Sequence, residues 1–362
     1  MLPQVAIIVP VLNEADNIEP FFEELTKSLT NYDWEVIFVD DKSNDGTQEA
    51  IGRLAAAKSN IRLLQRFGRH GHASACIEGM CSTCAHLLAV MDADLQHDPA
   101  LLPRMVSILE SKRYNLVIGS RYLQGGNVGD WSQRRKRYSR AATVATQLVL
   151  GRIEITDPMS GFFMMDRVLF LAHVEDLCGK GFKILLDILS TAKKDVRAVE
   201  FPYNFRSRVR GTSKLRVSVV LEFLILLLDK TFGRLIPYRF LVFVMMGGAG
   251  AVFHLLILAL LLYRFEVGFA IAQASASLVA MVVNFALNNI FTHGDRRLAG
   301  IDFLKGLFMF MLVCAIGAFA NIRVANYFFE QGIAWWLCGL LGALIGAVWN
   351  YAVSSTLVWK RR

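Results

Sequence analysis

The stretch Ala89–Gln96, AVMDADLQ, ends an apolar run on two carboxylates one residue apart, Asp92 and Asp94. The chain carries 39 Lys and Arg against 31 Asp and Glu, net +8, so acids gathered at one point call for a cationic partner. Two more polar pairs follow apolar runs: Asn13-Glu14 after Val5–Val11, and Asp40-Asp41 after Trp34–Val39. Hard divalent cations take carboxylate oxygens and share their remaining positions with substrate phosphates. Asp92 and Asp94, with Gln96, are therefore candidate ligands for Mg2+ or Mn2+ bridging a nucleotide diphosphate. Neither a Walker loop nor a G-x-G-x-x-G follows the first apolar run, so the usual backbone phosphate cradles are missing. Helix capping is the plainer alternative for each acid, and for Asp45 in SNDGT it is as good an account as any.

These residues need a scaffold that brings them to one edge. VAIIVPV, WEVIFVDD, IRLLQR, HLLAVMDAD and NLVIGSRY read as short strands rich in β-branched residues. Between them, Ala15–Leu29, Asn44–Ala57, Ala73–Cys84 and Ala100–Ser111 carry helical apolar spacing. Alternation of this kind predicts an α/β domain with a mostly parallel, Rossmann-like sheet covered on both faces. Ligands in such sheets lie beyond the carboxyl ends of the strands, where all three acidic clusters fall.

The ordered set VPVLNEADNI, VDDKSNDGT, VMDADLQHDP, GSRY, DPMSGFFMMDR, GFKILLDIL and FRSRVRGTSKL resembles the GT-A glycosyltransferases that make polyprenyl-phosphate sugars, the dolichyl-phosphate mannose synthase group, over residues 4–216. The resemblance implies a GT-A fold and transfer of one hexose from a nucleotide sugar to a polyprenyl or dolichyl phosphate. GDP-mannose is the favoured donor and UDP-glucose the next. It also implies residue roles. Pro10, Asn13, Glu14, Asp40 and Asp41 match nucleotide contacts, and Asp92, Asp94 and Gln96 match the metal and diphosphate site. Arg121, Arg135 and Ser139 match the grip on the lipid phosphate, the two arginines standing 14 residues apart. Arg206, Arg208, Ser213 and Lys214 match a loop that closes over the diphosphate. Asp157 matches a conspicuous family acid, grouped with Asp92, Asp94 and Arg208 as catalytic although its role is open. Lys42, and His70 and His72 in RFGRHGHASA, depart from the family pattern and leave base and sugar unassigned; the histidines are expected to be solvent-exposed.

The residues themselves agree with such chemistry. A lipid phosphate is already anionic near neutral pH, so it needs guanidinium groups to align it more than it needs a general base. The leaving diphosphate needs metal and loop cations. Direct in-line attack predicts inversion. In the basic run RRKRYSR, Arg135 is the expected acceptor contact, and the other cations read as a surface patch facing anionic lipid. A nucleic-acid partner is not expected.

Composition changes after the first 214 residues. The segment 215–236, with Glu222, Asp229, Lys230 and Arg234 interrupting its apolar faces, reads as amphipathic helices in the headgroup region. Residues 237–362 hold four uncharged runs, Phe240–Tyr263, Phe269–Phe291, Phe303–Ile322 and Ile333–Trp359, each long enough to span a bilayer. Cations at Lys230, Arg234, Arg239, Arg296, Arg297, Lys305 and 360–362 put both termini and the catalytic domain in the cytoplasm. The start of the chain has no basic n-region and reads as a first strand. The expected location is the inner or plasma membrane of a bacterium or archaeon, and a homo-oligomer is compatible with it. VVNFALNN and VWNYAVSS, 66 residues apart, suggest a repeated two-helix unit, with Asn284 and Asn350 facing the bundle interior. This tail resembles GtrA-like domains. A flippase role for the helices and a processive polysaccharide synthase are the alternatives, the latter disfavoured because QRRKRY departs from Q-x-x-R-W. Cys81 and Cys84 form a lone C-x-x-C, expected to be buried free thiols.

Overall fold

The computed structural model describes residues 2–67, 71–129, 133–151, 153–179, 181–206, 223, 226–227, 230–231, 238–266, 268–293, 296–333 and 335–359. Strand β1 (Val5–Val11) is apolar throughout and buried at every position but Pro10, as expected of a central strand covered on both faces. It pairs in parallel with β2 (Trp34–Asp40) and β4 (Leu87–Val90), and β2 pairs in parallel with β3 (Ile61–Gln65). The helices α1 (Ala15–Ser28), α2 (Thr47–Ala57), α3 (His72–Cys81) and α4 (Leu102–Glu110) fall in the expected segments.

Beyond β4 the sheet departs from simple alternation. β5 (Leu116–Ser120) does not pair with β4; β6 (Phe163–Asp166) inserts between them, antiparallel to both, and β7 (Ala198–Pro202) lies parallel to β5. The order is β3-β2-β1-β4-β6-β5-β7. Between β5 and β7 the chain also forms α5 (Gln133–Leu150), α6 (Arg167–His173) and α7 (Ile184–Ala192). Alternating side chains feed two apolar clusters: Ile7, Val9, Phe21, Phe38 and Met105 in one, and Ile8, Ile37, Val39, Met80, Leu88 and Phe163 in the other. Each fully buried side chain of this size contributes about 1.5–3 kcal/mol of transfer free energy.

The chain forms two compact units, Met1–Thr231 and Phe232–Arg362. In the expected amphipathic segment, the described residues face the first unit's own core: Leu226 is buried in the cluster of Ile188 and Leu189, and Lys230 Nζ stands 2.6 Å from Asp187 Oδ1. Phe223 and Leu227 pack on the same cluster. Glu222, Asp229 and Arg234 lie outside the described residues.

The second unit consists of α8 (Tyr238–Tyr263), α9 (Phe269–Leu287) extended by a π turn over Asn288–Thr292, α10 (Gly300–Glu330) and α11 (Trp335–Leu357). Among the described residues, three stretches are long and apolar enough to cross a membrane: Phe240–Tyr263, Ser275–Thr292 and Gly300–Gly317. Leu255, Leu256, Leu260, Phe308 and Ile316 are exposed, an apolar exterior that water would not favour. Trp359 is fully buried, stacked 4.2 Å from His293, and its indole N–H donates to Asn289 Oδ1 at 3.1 Å. Each helix pair sets a glycine of its first helix against an asparagine of its second. A Cβ on Gly250 would lie 3.3 Å from Asn284 Cβ, and one on Gly317 would collide with Asn350 Oδ1.

Candidate active site

The parallel register sets Val11 opposite Asp40 and Ile8 opposite Val90, so the loops after β1, β2 and β4 leave the same edge of the sheet. The first two loops are stitched together. Asn13 sits at φ 61°, a left-handed conformation that asparagine tolerates well; its N–H donates to Ser43 Oγ (2.9 Å) and its Oδ1 accepts from Asn44 N–H (3.0 Å). Glu14 N–H donates to Thr47 Oγ1, and Glu14 Oε2 accepts from Asn17 Nδ2. Asp45 accepts from Thr47 N–H, the first amide of α2, whose N-cap is Gly46, and reaches across to Ala15 N–H. Pro10, on β1, lies beside Val39 of β2.

Asp40 is fully buried and accepts from Ser43 N–H and Gln48 Nε2. Asp41 accepts from Gly71 N–H at 2.8 Å and pairs with Arg66, also at 2.8 Å. The Arg66 side chain is wholly buried and also donates to Gly71 O, Ser74 Oγ and Glu78. A guanidinium presents five donors in a planar fork, which is why one arginine can tie the second loop to α3.

The D-x-D pair follows β4. Asp94 is 5% exposed and its Oδ1 accepts from Gln96 N–H; Leu95 between them stands at φ 60°, a strained position that turns this amide back onto the carboxylate. Gln96 Nε2 donates to Arg206 O at 2.9 Å. Asp92 Oδ1 lies 3.0 Å from His72 Nε2, and Asp92 N–H donates to His97 Nδ1 at 3.2 Å. Burial opposes ionisation of Asp92, but the hydrogen bond and charge of His72, then His97 and Lys183, outweigh it and hold the carboxyl well below the usual range. A Cβ on Gly161 would stand 3.2 Å from Asp92 Oδ2, so a glycine there leaves the approach to that oxygen open.

After β5, Arg121 and Asp157 form a bidentate pair, both N–O distances 2.7 Å, and Asp157 Oδ2 also accepts Arg121 N–H. Asp157 is fully buried and the Arg121 side chain 10% exposed. This gives the open acid a place: it fixes the guanidinium. Ser139 of α5 lies 2.6 Å from the hydroxyl of Tyr122, which neighbours Arg121. Arg135 lies on the same helix, but its side chain is outside the described residues, as are Arg208, Ser213 and Lys214 entirely. The Arg206 guanidinium is directed to Glu24 (2.9 Å) and Asp98 (3.0 Å), and the backbone N–H of Arg206 donates to Gln96 O, which ties the end of the described loop to the D-x-D turn.

A model of Glycosyl transferase family 2 matches residues 6–173, and a model of the GtrA/DPMS transmembrane domain matches 242–359. A dolichol-phosphate mannosyltransferase of Pyrococcus furiosus is 31% identical over 359 residues, 98% of this chain and 99% of that protein. The chain belongs to the dolichol-phosphate mannosyltransferase family. The Saccharomyces cerevisiae dolichol-phosphate mannosyltransferase is 34% identical over 229 residues, 60% of this chain and 84% of its own. Among solved structures, a Mycobacterium tuberculosis glucosyl-3-phosphoglycerate synthase, crystallised with Mn2+, UDP and glucosyl-3-phosphoglycerate, aligns with a TM-score of 0.49 at 19% identity, covering 63% of this chain and 80% of that one.

This family member is thus a glycosyltransferase and a membrane protein, with a GT-A-type sheet in its first unit. Two sequence expectations are corrected. His72 is not at the surface: it opens α3 with its side chain 19% exposed, held between Asp92 and Cys76, because the glycine-rich turn delivers it to the strand edge. His70 lies outside the described residues. Cys81 and Cys84 are exposed rather than buried, since α3 ends at Cys81. His97 and Tyr203 belong to the site although no sequence pattern marks them as candidates. His97 stacks on Phe162 at 5.3 Å, behind Asp92, and the sequence signal for it was its place three residues after the D-x-D.

Proposed function

We propose that this chain transfers one mannosyl group from GDP-mannose to the phosphate of a polyprenyl or dolichyl phosphate, with inversion at the anomeric carbon. The observation that carries this reading is the near full-length similarity to a dolichol-phosphate mannosyltransferase, spanning catalytic and membrane units in the same order. An oxygen of the acceptor phosphate attacks the anomeric carbon while the bond from that carbon to the diphosphate breaks, and the nucleoside diphosphate leaves with the electron pair. Arg121, fixed by Asp157, holds the acceptor phosphate in line, with Ser139 beside its neighbour Tyr122 and Arg135 assigned to the same phosphate from the sequence resemblance. Pro10, Asn13, Glu14, Asp40 and Asp41 form the nucleotide side, several of them by shaping the loops.

Asp92 and Asp94, with Gln96, offer the oxygen donors a hard divalent cation takes, and the open side at Gly161 fits one. Among the described residues no three His, Cys, Asp or Glu side chains converge to complete a cage, so diphosphate oxygens and water would fill the remaining positions. Mg2+ or Mn2+ bound there supplies charge neutralisation for the leaving diphosphate. Arg208 and Lys214 act on the same diphosphate. Four spans rest on the four uncharged runs, and cytoplasmic termini on the placement of the cations.

Purified chain in detergent, a polyprenyl phosphate, Mg2+ or Mn2+ and a panel of GDP- and UDP-sugars test this, with products read by mass spectrometry. A mannosyl phospholipid from GDP-mannose is expected, and Asp94→Ala should abolish it while the protein stays folded. Product from UDP-glucose alone would replace the donor; no glycolipid from any donor would sink the reading.

A further inference from the structure

Within the catalytic unit, the hydroxyl of Tyr203 is the described buried side-chain group without a hydrogen-bond partner among the described residues. Native interiors rarely leave such a group unsatisfied, and an orphaned hydroxyl often marks a function. The tyrosine is 5% exposed, and its surroundings are built around it. Its ring stands edge-on to Phe162 (5.5 Å, 82°), His97 (5.8 Å, 68°) and Phe205 (6.4 Å, 72°). A Cβ on Gly119 of β5 would come within 3.2 Å of the ring, so that glycine makes room for it. Its main chain is held beside the acceptor side: Tyr203 N–H donates to Ser120 O, the residue before Arg121. A phenylalanine would fill the same space without the unsatisfied oxygen.

The hydroxyl is itself buried, and the charged groups that act on it come from both halves of the site. After burial, which pushes the phenol far above its ordinary value and keeps it a proton donor at neutral pH, the charged groups acting on it are Arg121 first, then Asp157, Asp92 and Asp94. The Arg121 guanidinium lies 5.6 Å from the Phe205 ring that packs on Tyr203. A neutral O–H within the field of a clamped guanidinium suits a phosphate, since it adds a hydrogen bond to the anion without adding charge.

We propose that the Tyr203 hydroxyl is a substrate contact, donating a hydrogen bond to a non-attacking oxygen of the acceptor phosphomonoester held beside Arg121. This rests on the reading of Arg121 as the acceptor site. Arginine supplies charge and alignment; tyrosine supplies a third point that fixes rotation of the phosphate about its ester bond.

The test is Tyr203→Phe in the full chain, in detergent, with a short polyprenyl monophosphate and the matching polyprenyl alcohol titrated by calorimetry without donor. The expected result is a dissociation constant for the monophosphate raised about tenfold, the size of one hydrogen bond to a charged group. Affinity for the alcohol and KM for the nucleotide sugar should stay unchanged, with a thermal midpoint at or above that of the parent. Unchanged affinity for the monophosphate would overturn the proposal. So would an equal weakening toward the alcohol, or a rise confined to the donor KM, which would put the hydroxyl on the sugar. Parent protein that binds no monophosphate at all would instead overturn the acceptor reading on which the proposal stands.

Discussion

Replacing Asp157 by asparagine keeps the shape of the side chain and removes the charge that faces Arg121. Asp157 is fully buried and the Arg121 side chain 10% exposed, so the variant leaves a guanidinium shielded from water with neither of its 2.7 Å charged contacts. Breaking one side of a buried pair costs about 3–5 kcal/mol. For a unit of this size each kcal/mol moves the midpoint by about 2–4 °C, which sets the expected fall at about 6–20 °C. The same change frees Arg121 to leave its position, and misplacing an aligning group by about 1 Å costs on the order of a hundredfold in rate. Thermal unfolding of the full chain in detergent and steady-state kinetics against polyprenyl phosphate measure the two effects separately. Arg121→Met combined with Asp157→Leu should recover most of the midpoint and none of the activity. Recovery stays incomplete because the Arg121 N–H still loses its acceptor. An Asp157→Asn protein with the parent's midpoint and acceptor kinetics would refute the clamp.

Arg66→Lys replaces a fork making bonds to Asp41, Gly71, Ser74 and Glu78 by a single ammonium, and should lower the midpoint by several degrees while raising the KM for the nucleotide sugar; an unchanged midpoint would deny the hub. Lys230→Met leaves the buried Asp187 without its cation and should destabilise the catalytic unit by about 3 kcal/mol, read by denaturant unfolding; Asp187→Leu in the same chain should offset this only in part, because the Cys178 and Gly179 N–H groups lose their acceptor. Slight burial of Asp45 opposes its charge, but bonds from Thr47 and Ala15 prevail and lower its pKa. Its contribution is therefore present above the unfolded value, about 3.9, and is lost as pH falls through the lower folded value. The midpoint difference between parent and Asp45→Ala should hold from pH 7 to about 5 and shrink toward about 3; a difference constant to the lowest pH would contradict this. Gly317→Ala should destabilise the membrane unit by about 1–3 kcal/mol through overpacking, and Gly250→Ala by less, in a detergent unfolding assay; equal effects would argue against the close approach at Asn350.

The strands β1 to β5 were legible because each is a short, mostly apolar run bounded by turn residues, with β1, β2 and β5 rich in Val and Ile. β6 was not: Phe163–Asp166 has only four residues, without a β-branched side chain, and its antiparallel insertion between β4 and β5 is decided by pairing that no local pattern encodes. β7 ends on Pro202 and lacks alternation. In the site, the carboxylates after β1, β2 and β4 could be placed at one edge from the strand pattern alone. Their partners could not. Arg66 is 25 residues from Asp41, and Arg121 is 36 from Asp157, separations at which contact follows from topology. The place of His72 is not legible in the sequence because a histidine in a glycine-rich turn has no local feature that distinguishes a free loop from one folded against Asp92.

The paired glycines and asparagines of the membrane unit separate its two hairpins in self-sufficiency. In the first, Asn284 Oδ1 accepts from Asn288 Nδ2 at 2.7 Å, one helical turn along, so its polar group is satisfied within the same helix. In the second, Asn350 Oδ1 is buried with no partner among the described residues. In hydrocarbon the first hairpin carries its own answer to an intramembrane amide, whereas the second depends on whatever surrounds it. A shortened anchor built from α8 and α9 alone would keep Asn284 satisfied but strip Asn289 of its bond from Trp359; one built from α10 and α11 would keep Asn350 unsatisfied.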